Sequence, residues 1–228
     1  LLRRLRLVVV HLIHLLASVN IGDGDGFMWT PSPVVEDVSD VVLDIGRRPQ
    51  AWVGGGTRVW LDADTTRLVT RDELEAVLDA VCKQSSGFGS DNRAGLDGQL
   101  HRISRVRDRT DTIDTGLTIR FGRSVTGTAD ILADVLLGSD KSVLLLGEPG
   151  SGKTTLLRDV ARMLAVDNNV AVVDTSSEIA GDGSIAHECI GLARRFQVPS
   201  LERQAAKMIE VVQNHTPHVM VIDEIGRA

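Results

Sequence analysis

The stretch "GEPGSGKTTLLRDVARML", residues 147–164, is a glycine-rich turn that leads directly into an amphipathic helix. It fits the pattern G-x-x-x-x-G-K-[ST], whose fixed positions are occupied by Gly147, Gly152, Lys153 and Thr154. The glycines allow backbone N–H groups to curl around phosphate oxygens at the positive end of the following helix. A chance glycine-rich turn before a helix is the alternative. The flanks favour a nucleotide-binding loop, because an apolar strand is predicted before it and a helix after it.

The predicted contacts to the nucleotide come from this loop and from the first turn of its helix. We expect them at Gly147, Glu148, Pro149, Gly150, Ser151, Gly152, Lys153, Thr154 and Thr155. Lys153 brings a positive charge to the β- and γ-phosphates of ATP, where it also serves catalysis. The Thr154 hydroxyl is placed to bind Mg²⁺. The sequence therefore predicts ATP and Mg²⁺ as cofactors.

An acidic pair near the end of the chain predicts the second half of the site. In "HVMVIDEIG", residues 218–226, an apolar run ends at Asp223 and Glu224. Ligands of open α/β sheets bind at the carboxyl ends of the strands, where Asp223 would hold the Mg²⁺ shell. A strand that simply ends in solvated carboxylates is the alternative. The motif gains weight because it follows the phosphate-binding loop with a strand and a helix between.

Two glutamates are candidates for the group that activates the attacking water. Glu224 follows Asp223 directly, and Glu178 lies just beyond the strand predicted in "NVAVVDTSSE". Glu178 has the alternative role of a loop carboxylate that caps the next helix. Only geometry can decide between the two carboxylates.

The chain divides into three parts. Residues 1–33 contain three arginines followed by an apolar run, which is typical of a targeting segment or of an N-terminal helix, and then a linker. Residues 34–125 predict a compact α/β domain with a helix at 70–84, where Thr70 and Glu73 form a capping box. Residues 126–228 alternate helices with short apolar strands, including "SVLLLG" at 142–147, which predicts a doubly wound parallel sheet.

Bulk composition excludes several classes of protein. The net charge of −6 argues against a wholly basic nucleic-acid binder. The two cysteines, Cys82 and Cys189, have no metal-ligand spacing, so we expect a reducing compartment. No stretch has the length of a transmembrane helix.

Two arginine-rich segments remain without an assigned role. Residues 92–109 are locally basic, which makes nucleic acid or a neighbouring subunit's nucleotide an alternative partner, but no aromatic residue occurs between Phe88 and Phe121, so a base-stacking platform is not indicated. An interdomain or intersubunit contact is the favoured interpretation. Arg194 and Arg195 are candidates for stabilising phosphoryl charge, although a solvated helix face or a salt bridge is slightly favoured for them.

A family resemblance follows from these segments taken in order. "NRAG…LHRISRVRDR", "GLTIRFGRSVTG", the phosphate-binding loop, "VVDTSSEIAGDG", "IGLARRFQV" and "VIDEIG" resemble the stage III sporulation protein AA-like ATPases, in particular the plastid and cyanobacterial branch of this AAA-type group. The resemblance covers about residues 34–226. The chain departs from the pattern where Ser177 replaces the usual Asn and Ala186 the usual Pro.

The resemblance implies a small N-terminal α/β domain joined to a recombinase-like P-loop core, related to the motor ATPases of secretion systems and pili. It implies a hexameric ring as the homo-oligomer and a cytoplasmic or plastid stromal location. It also implies a nucleic-acid-binding module after the core. The runner-up function is a nucleotide-gated assembly or nucleic-acid-binding module without turnover, and the third is an inactive fragment.

The chain ends suggest a piece of a longer protein, because the first residue is Leu1 and the last residues directly follow a predicted strand. In recombinase-like cores, the strand that comes next in sequence lies between the acidic strand and the strand of the phosphate-binding loop. We therefore expect no ladder pairing between residues 143–147 and 219–223.

Overall fold

The computed structural model describes residues 38–54, 56–61 and 64–225. The expectations for residues 1–33 lie outside the described residues. The chain separates into two compact units. The first comprises the described residues up to Leu96 together with His101–Gly122, and the second comprises Asp97–Leu100 together with the described residues from Arg123 onward. We treat each unit by itself.

The first unit is built on a six-stranded sheet in the order β3-β2-β1-β6-β5-β4, in which every pair is antiparallel. Its strands are β1 (Val38–Asp44), β2 (Gln50–Val53), β3 (Thr57–Trp60), β4 (Arg93–Gly95), β5 (Arg102–Arg107) and β6 (Asp114–Arg120). The core lies on one face of the sheet, where Val41, Leu43, Ile103, Leu117 and Ile119 are buried.

Helix α1 (Arg71–Lys83) covers this core as the sequence predicts. Its four apolar positions at helical spacing, Leu74, Val77, Leu78 and Val81, are all buried. At its start, Thr70 accepts from the Glu73 amide, while the Glu73 carboxylate accepts from the Thr70 amide. The predicted capping box is therefore present.

The second unit has a three-stranded parallel sheet in the order β8-β7-β9 with helices on both faces. The elements are α2 (Ala133–Leu137), α3 (Lys153–Leu164), β7 (Val170–Asp174), β8 (Arg194–Gln197), α4 (Gln204–His215) and β9 (Val219–Ile222). Helix α3 packs on the face that carries Val172 and Val221. Helix α4 packs on the opposite face through Val211. The predicted parallel sheet is thus present.

The strand predicted just before the phosphate-binding loop does not form in the described chain. Residues 142–148 have no regular structure, and Val143, Leu144 and Leu146 are 45%, 66% and 85% exposed. A strand needs a neighbour to supply its hydrogen bonds, and within the described residues β9 pairs with β7 and with no other strand. The predicted absence of pairing between residues 143–147 and 219–223 is confirmed, but the predicted burial of residues 142–147 is wrong.

Other elements differ from prediction in extent or type. The segment "GLTIRFGRSVTG", residues 116–127, is extended only as far as Arg120, where β6 ends. The first helical part of residues 126–228 begins as a 3₁₀ turn, Thr128–Leu132, before α2. Arg194 and Arg195 lie on strand β8, so the solvated helix face expected for them is wrong. Strand β9 is a half-buried edge of the described sheet rather than a strand buried on both faces. Among the helices of the described residues, none has the length and apolar character needed to span a bilayer.

Candidate nucleotide site

The loop 147–152 adopts a conformation that requires glycine at two positions. Gly150 and Gly152 have φ values of 78° and 88°, in the left-handed region that other residues rarely adopt. Gly152 forms the N-terminal cap of α3. The first N–H groups of α3 have no partner within the helix and lie at the positive end of its dipole.

Lys153 holds the two ends of this loop together. Its Nζ atom donates to the carbonyl oxygens of Gly147 and Glu148, at 2.9 and 2.7 Å. Thr154 and Thr155 follow in the first turn of α3, half-buried. All nine predicted nucleotide-binding residues thus lie in one loop and one helical turn.

The carboxyl ends of β7 and β9 bring a group of polar side chains together. The Ser176 hydroxyl donates to the carboxylate of Asp223, which follows β9. Asp174, the last residue of β7, is completely buried. Gln204 of α4 donates to the Thr175 hydroxyl and to the backbone carbonyl of Glu224. This edge of the sheet is where the sequence placed the acidic half of the site.

The loop after β7, residues 177–185, has its backbone carbonyls bound by two arginines. Arg158 of α3 donates to the carbonyls of Glu178 and Ile179, and to that of Arg123 at 2.7 Å. Arg195 of β8 donates to the carbonyls at positions 180, 181, 183 and 184. Arginine suits this task because its planar guanidinium carries five donors in a fixed arrangement.

Two aspartates bind amides of the same loop. The Asp174 carboxylate accepts from the amides of Ile179 and Ala180, the latter at 2.9 Å. The Asp97 carboxylate accepts from the amides of Ser184 and Ile185. Charged side chains therefore satisfy backbone groups of this irregular loop, which pairs with no strand or helix of the described chain. The contacts from Arg158 hold the backbone of Glu178 against α3, the helix that follows the phosphate-binding loop.

Two backbone positions in this loop have unusual requirements. Gly181 has a φ of 82°, and a Cβ atom there would lie 2.1 Å from the carbonyl oxygen of Gln99, so any larger residue is excluded. Ser177 has a φ of 57°, which is unfavourable for serine and better tolerated by asparagine. The resemblance places Asn at this position, and the backbone gives a physical reason for that preference.

Burial of Asp174 raises the pKa of its carboxyl group from 3.8 to about 6, and neighbouring Asp223 adds to this rise. The Ala180 and Ile179 amides and Arg195 act in the opposite direction. Because the native state binds this proton more tightly than the unfolded chain, the group stabilises the fold most below pH 4. That contribution is lost as the pH rises through about 6.

We expect Asp174→Asn to remove this part of the pH dependence of stability. A shift of this size corresponds to at most about 3 kcal/mol in the free energy of unfolding between pH 4 and pH 7. Urea unfolding of both proteins at pH 4, 5, 6 and 7 measures the difference. Parallel pH profiles for the two proteins would mean that Asp174 does not titrate in this range.

Part of this arrangement follows from the sequence and part of it does not. The predicted residues Asp223 and Glu224 follow β9, and Glu178 follows β7, as expected. Sequence reasoning missed Arg158, Asp174 and Gln204, because their partners are backbone atoms or lie far along the chain. The available sequence signal was the position of Asp174 at the end of the apolar run "VAVVD", because a carboxylate in a buried strand carries a desolvation cost.

Two of the predicted site residues carry oxygen atoms of the kind that magnesium prefers. Within the described residues, no group of three or more His, Cys, Asp or Glu side chains is arranged to hold a metal ion. Mg²⁺ bound with a nucleotide needs fewer protein ligands, because the phosphates and waters complete its shell. The Thr154 hydroxyl and the Asp223 carboxylate are hard oxygen ligands of the kind that this ion prefers.

Comparison with known proteins adds a family and a fold. The sequence model of the family described as "Sporulation stage III, protein AA" matches residues 30–228. Protein SEEDLING PLASTID DEVELOPMENT 1 of Arabidopsis thaliana is 45% identical over 194 residues, which is 84% of this chain and 27% of that protein. Uncharacterized protein ycf45 of Porphyra purpurea is 46% identical over 193 residues, 84% of this chain and 32% of that protein. The chain therefore spans less than a third of the length of these relatives.

A solved structure shares the fold. The ATPase DotB of Legionella pneumophila matches with a TM-score of 0.50, covering 84% of this chain and 56% of that one. The sequence identity is 16%, so the likeness concerns the fold alone. The chain therefore has a mixed α/β fold like that of this ATPase.

Proposed function

Because the chain belongs to the sporulation stage III protein AA family, we propose that it binds ATP with Mg²⁺ in the loop 147–155 and hydrolyses it. The observation that carries this proposal is the geometry of the loop. Two left-handed glycines turn the backbone at the start of α3, and the Lys153 ammonium lies against the loop carbonyls. This arrangement suits a polyphosphate, whose oxygens accept from N–H groups and pair with the ammonium.

Each residue of the site has a chemical role in this proposal. Lys153 exchanges loop carbonyls for the β- and γ-phosphate oxygens and offsets their charge. Thr154 and Asp223 supply oxygen ligands to Mg²⁺, which stabilises negative charge on the transferred phosphoryl group when bound. Glu178 or Glu224 orients and deprotonates the attacking water.

The contacts favour Glu178 over Glu224 as the water-activating group. Glu178 lies in the loop whose carbonyls Arg158 binds, and the helix of Arg158 begins at Lys153. One helix therefore positions both the candidate base and the lysine that is proposed to bind the phosphates. Glu224 instead has its backbone carbonyl bound by Gln204 of α4, on the opposite face of the sheet. A base must lie within hydrogen-bond reach of the water that it activates, and rigid support improves that geometry.

Arg158 is a positioning residue in this account, and its removal tests the loop geometry. We expect Arg158→Ala to lower kcat for ATP hydrolysis by about 10²-fold while KM changes little, because a displaced Glu178 affects the chemical step more than nucleotide binding. Arg158→Lys should recover part of the rate, since one ammonium can bind one carbonyl. Arg162→Ala is the matched control, because Arg162 lies on the same helix and pairs with Asp159 instead. If Arg158→Ala and Arg162→Ala lower kcat equally, Arg158 has no specific role in positioning Glu178.

The wider assignments rest on the family. A homohexameric ring in the cytoplasm or plastid stroma, coupling hydrolysis to motion between subunits, is the proposal for the whole protein. Light scattering with and without ATP tests the ring, and release of inorganic phosphate in the presence of Mg²⁺ tests the activity. Protein that releases no phosphate at any oligomeric state would refute the ATPase proposal.

A further inference from the structure

The face of the first unit's sheet that points away from its core carries two complete rows of side chains across all six strands. Cross-strand pairing gives the first row as Arg58, Trp52, Asp40, Arg120, Arg102 and Gly95, from β3 to β4. The second row is Trp60, Gln50, Val42, Thr118, Ser104 and Arg93. Val42 is the one aliphatic side chain in them, so the composition of these rows, which we call the outer face, does not favour an apolar helix layer.

The outer face concentrates positive charge in a chain that is negative overall. Its two rows hold four arginines and one aspartate, and Asp44 at the end of β1 adds a second carboxylate in the next row. Four positive charges against two negative ones leave +2, whereas the whole chain carries −6. Arg102 and Arg120 are directly opposite each other on neighbouring strands. The Asp40 carboxylate, opposite Arg120 on β1, accepts from the Arg120 Nε atom at 3.1 Å and offsets part of this charge.

One edge of the outer face is a stack of planar side chains. The Arg58 guanidinium lies 4.8 Å from the centre of the Trp52 ring and 5.9 Å from that of Trp60. The Arg48 guanidinium lies 4.3 Å from the Trp60 ring centre. Trp60 is nevertheless 44% exposed, which is unusual for so large an apolar side chain and leaves ring surface for a further planar group. The stack orders these long side chains in advance, so less conformational entropy is lost on binding.

From this face we propose that the first unit binds single-stranded nucleic acid, with bases stacked on the Trp52–Arg58–Trp60 edge and phosphates on Arg120, Arg102 and Arg93. Bases stack on indole rings and on guanidinium planes, and a cationic groove or face holds the backbone. The distance from β3 to β5 is about 19 Å at the usual strand spacing, which spans several phosphates. A duplex fits less well, because its bases are already stacked inside and cannot reach the tryptophans.

Sequence reasoning did not find this site, because its aromatic and basic parts come from different segments. Residues 92–109 contain no aromatic side chain. Antiparallel pairing through β1 and β6 places the tryptophans of the β2–β3 hairpin on the same face as the arginines of β4, β5 and β6. The site is independent of the ATP site, and its test needs no nucleotide triphosphate.

The test is fluorescence anisotropy of labelled 15-nucleotide oligothymidylate and oligouridylate with the whole chain, at several salt concentrations. We expect Trp60→Ala to weaken binding by about 10-fold through loss of one stacked base. Trp60→Phe should recover part of the oligonucleotide affinity. This variant also controls for a folding defect in Trp60→Ala. Arg93→Gln should weaken binding and lower the salt dependence by about one counterion.

The matched control is Arg71→Gln. It removes the same charge from α1, the helix that covers the opposite face of the sheet, and should leave oligonucleotide affinity within about twofold of the wild type. Three results would overturn the proposal: no binding by the wild type, equal losses for Arg93→Gln and Arg71→Gln, or complete displacement of the oligonucleotide by polyglutamate at equal charge. A change of oligomeric state in Trp60→Ala with unchanged oligonucleotide affinity would instead assign the face to a second copy of this chain.

Discussion

Lys153→Ala is expected to weaken ATP binding by about 100-fold or more and to leave the fold intact. The ammonium contacts the carbonyls of Gly147 and Glu148, so its charge serves the ligand rather than the core. A hydrogen bond to a charged partner contributes about 1.5–3 kcal/mol, and Lys153 would make two of them to ATP. Titration calorimetry with MgATP measures the affinity, and circular dichroism checks the fold.

Lys207→Ala is the control for this experiment. Lys207 has the same charge but lies on α4 and pairs with Glu210, away from the loop. It should bind ATP with wild-type affinity. Wild-type affinity in Lys153→Ala would show that the loop does not bind the phosphates of ATP.

Glu178→Gln is expected to slow ATP hydrolysis by about 10²–10⁴-fold with ATP still bound. The amide keeps the size and position of the carboxylate but cannot accept the proton of the attacking water. Glu224→Gln should have a much smaller effect, because the contacts of the Glu178 loop with α3 favour Glu178 as the base. Single-turnover phosphate release separates the chemical step from nucleotide binding.

The paired variants also distinguish the alternatives. A large loss of hydrolysis rate in Glu224→Gln with a normal rate in Glu178→Gln would identify Glu224, and not Glu178, as the base. Saturable ATP binding without any phosphate release in the wild type would favour a nucleotide-gated assembly over a motor ATPase.

The local signals in the sequence were sufficient where structure depends on neighbours in the chain. Helix α1 follows from its capping box and from four apolar residues at helical spacing. Strand β7 follows from an uninterrupted apolar run, and all five of its residues are buried. The phosphate-binding loop follows from fixed glycine and lysine positions, because its conformation is set within six residues.

The remaining features depend on partners that are distant in sequence. The apolar run at residues 142–147 has the composition of a buried strand, but within the described chain it lies outside the sheet and is exposed. Strand β8 contains two adjacent arginines and lacks a strand signal, and it forms by parallel pairing with β7, while Arg195 binds four carbonyls of the preceding loop. The hydrogen bonds from Arg158 to the backbone carbonyl of Glu178 were not predictable either, because backbone oxygens carry no sequence signature.

The most direct test of the central claim is a competition experiment on the wild-type chain with ATP, ADP and AMP in the presence of Mg²⁺. The loop is proposed to cradle the β- and γ-phosphates, so a fluorescent ATP analogue should bind at one saturable site and be displaced by ATP and by ADP. AMP, which lacks both phosphates, should not displace it. Displacement by AMP as strong as by ATP, or no saturable binding at all, would contradict the assignment of residues 147–155 as the nucleotide site.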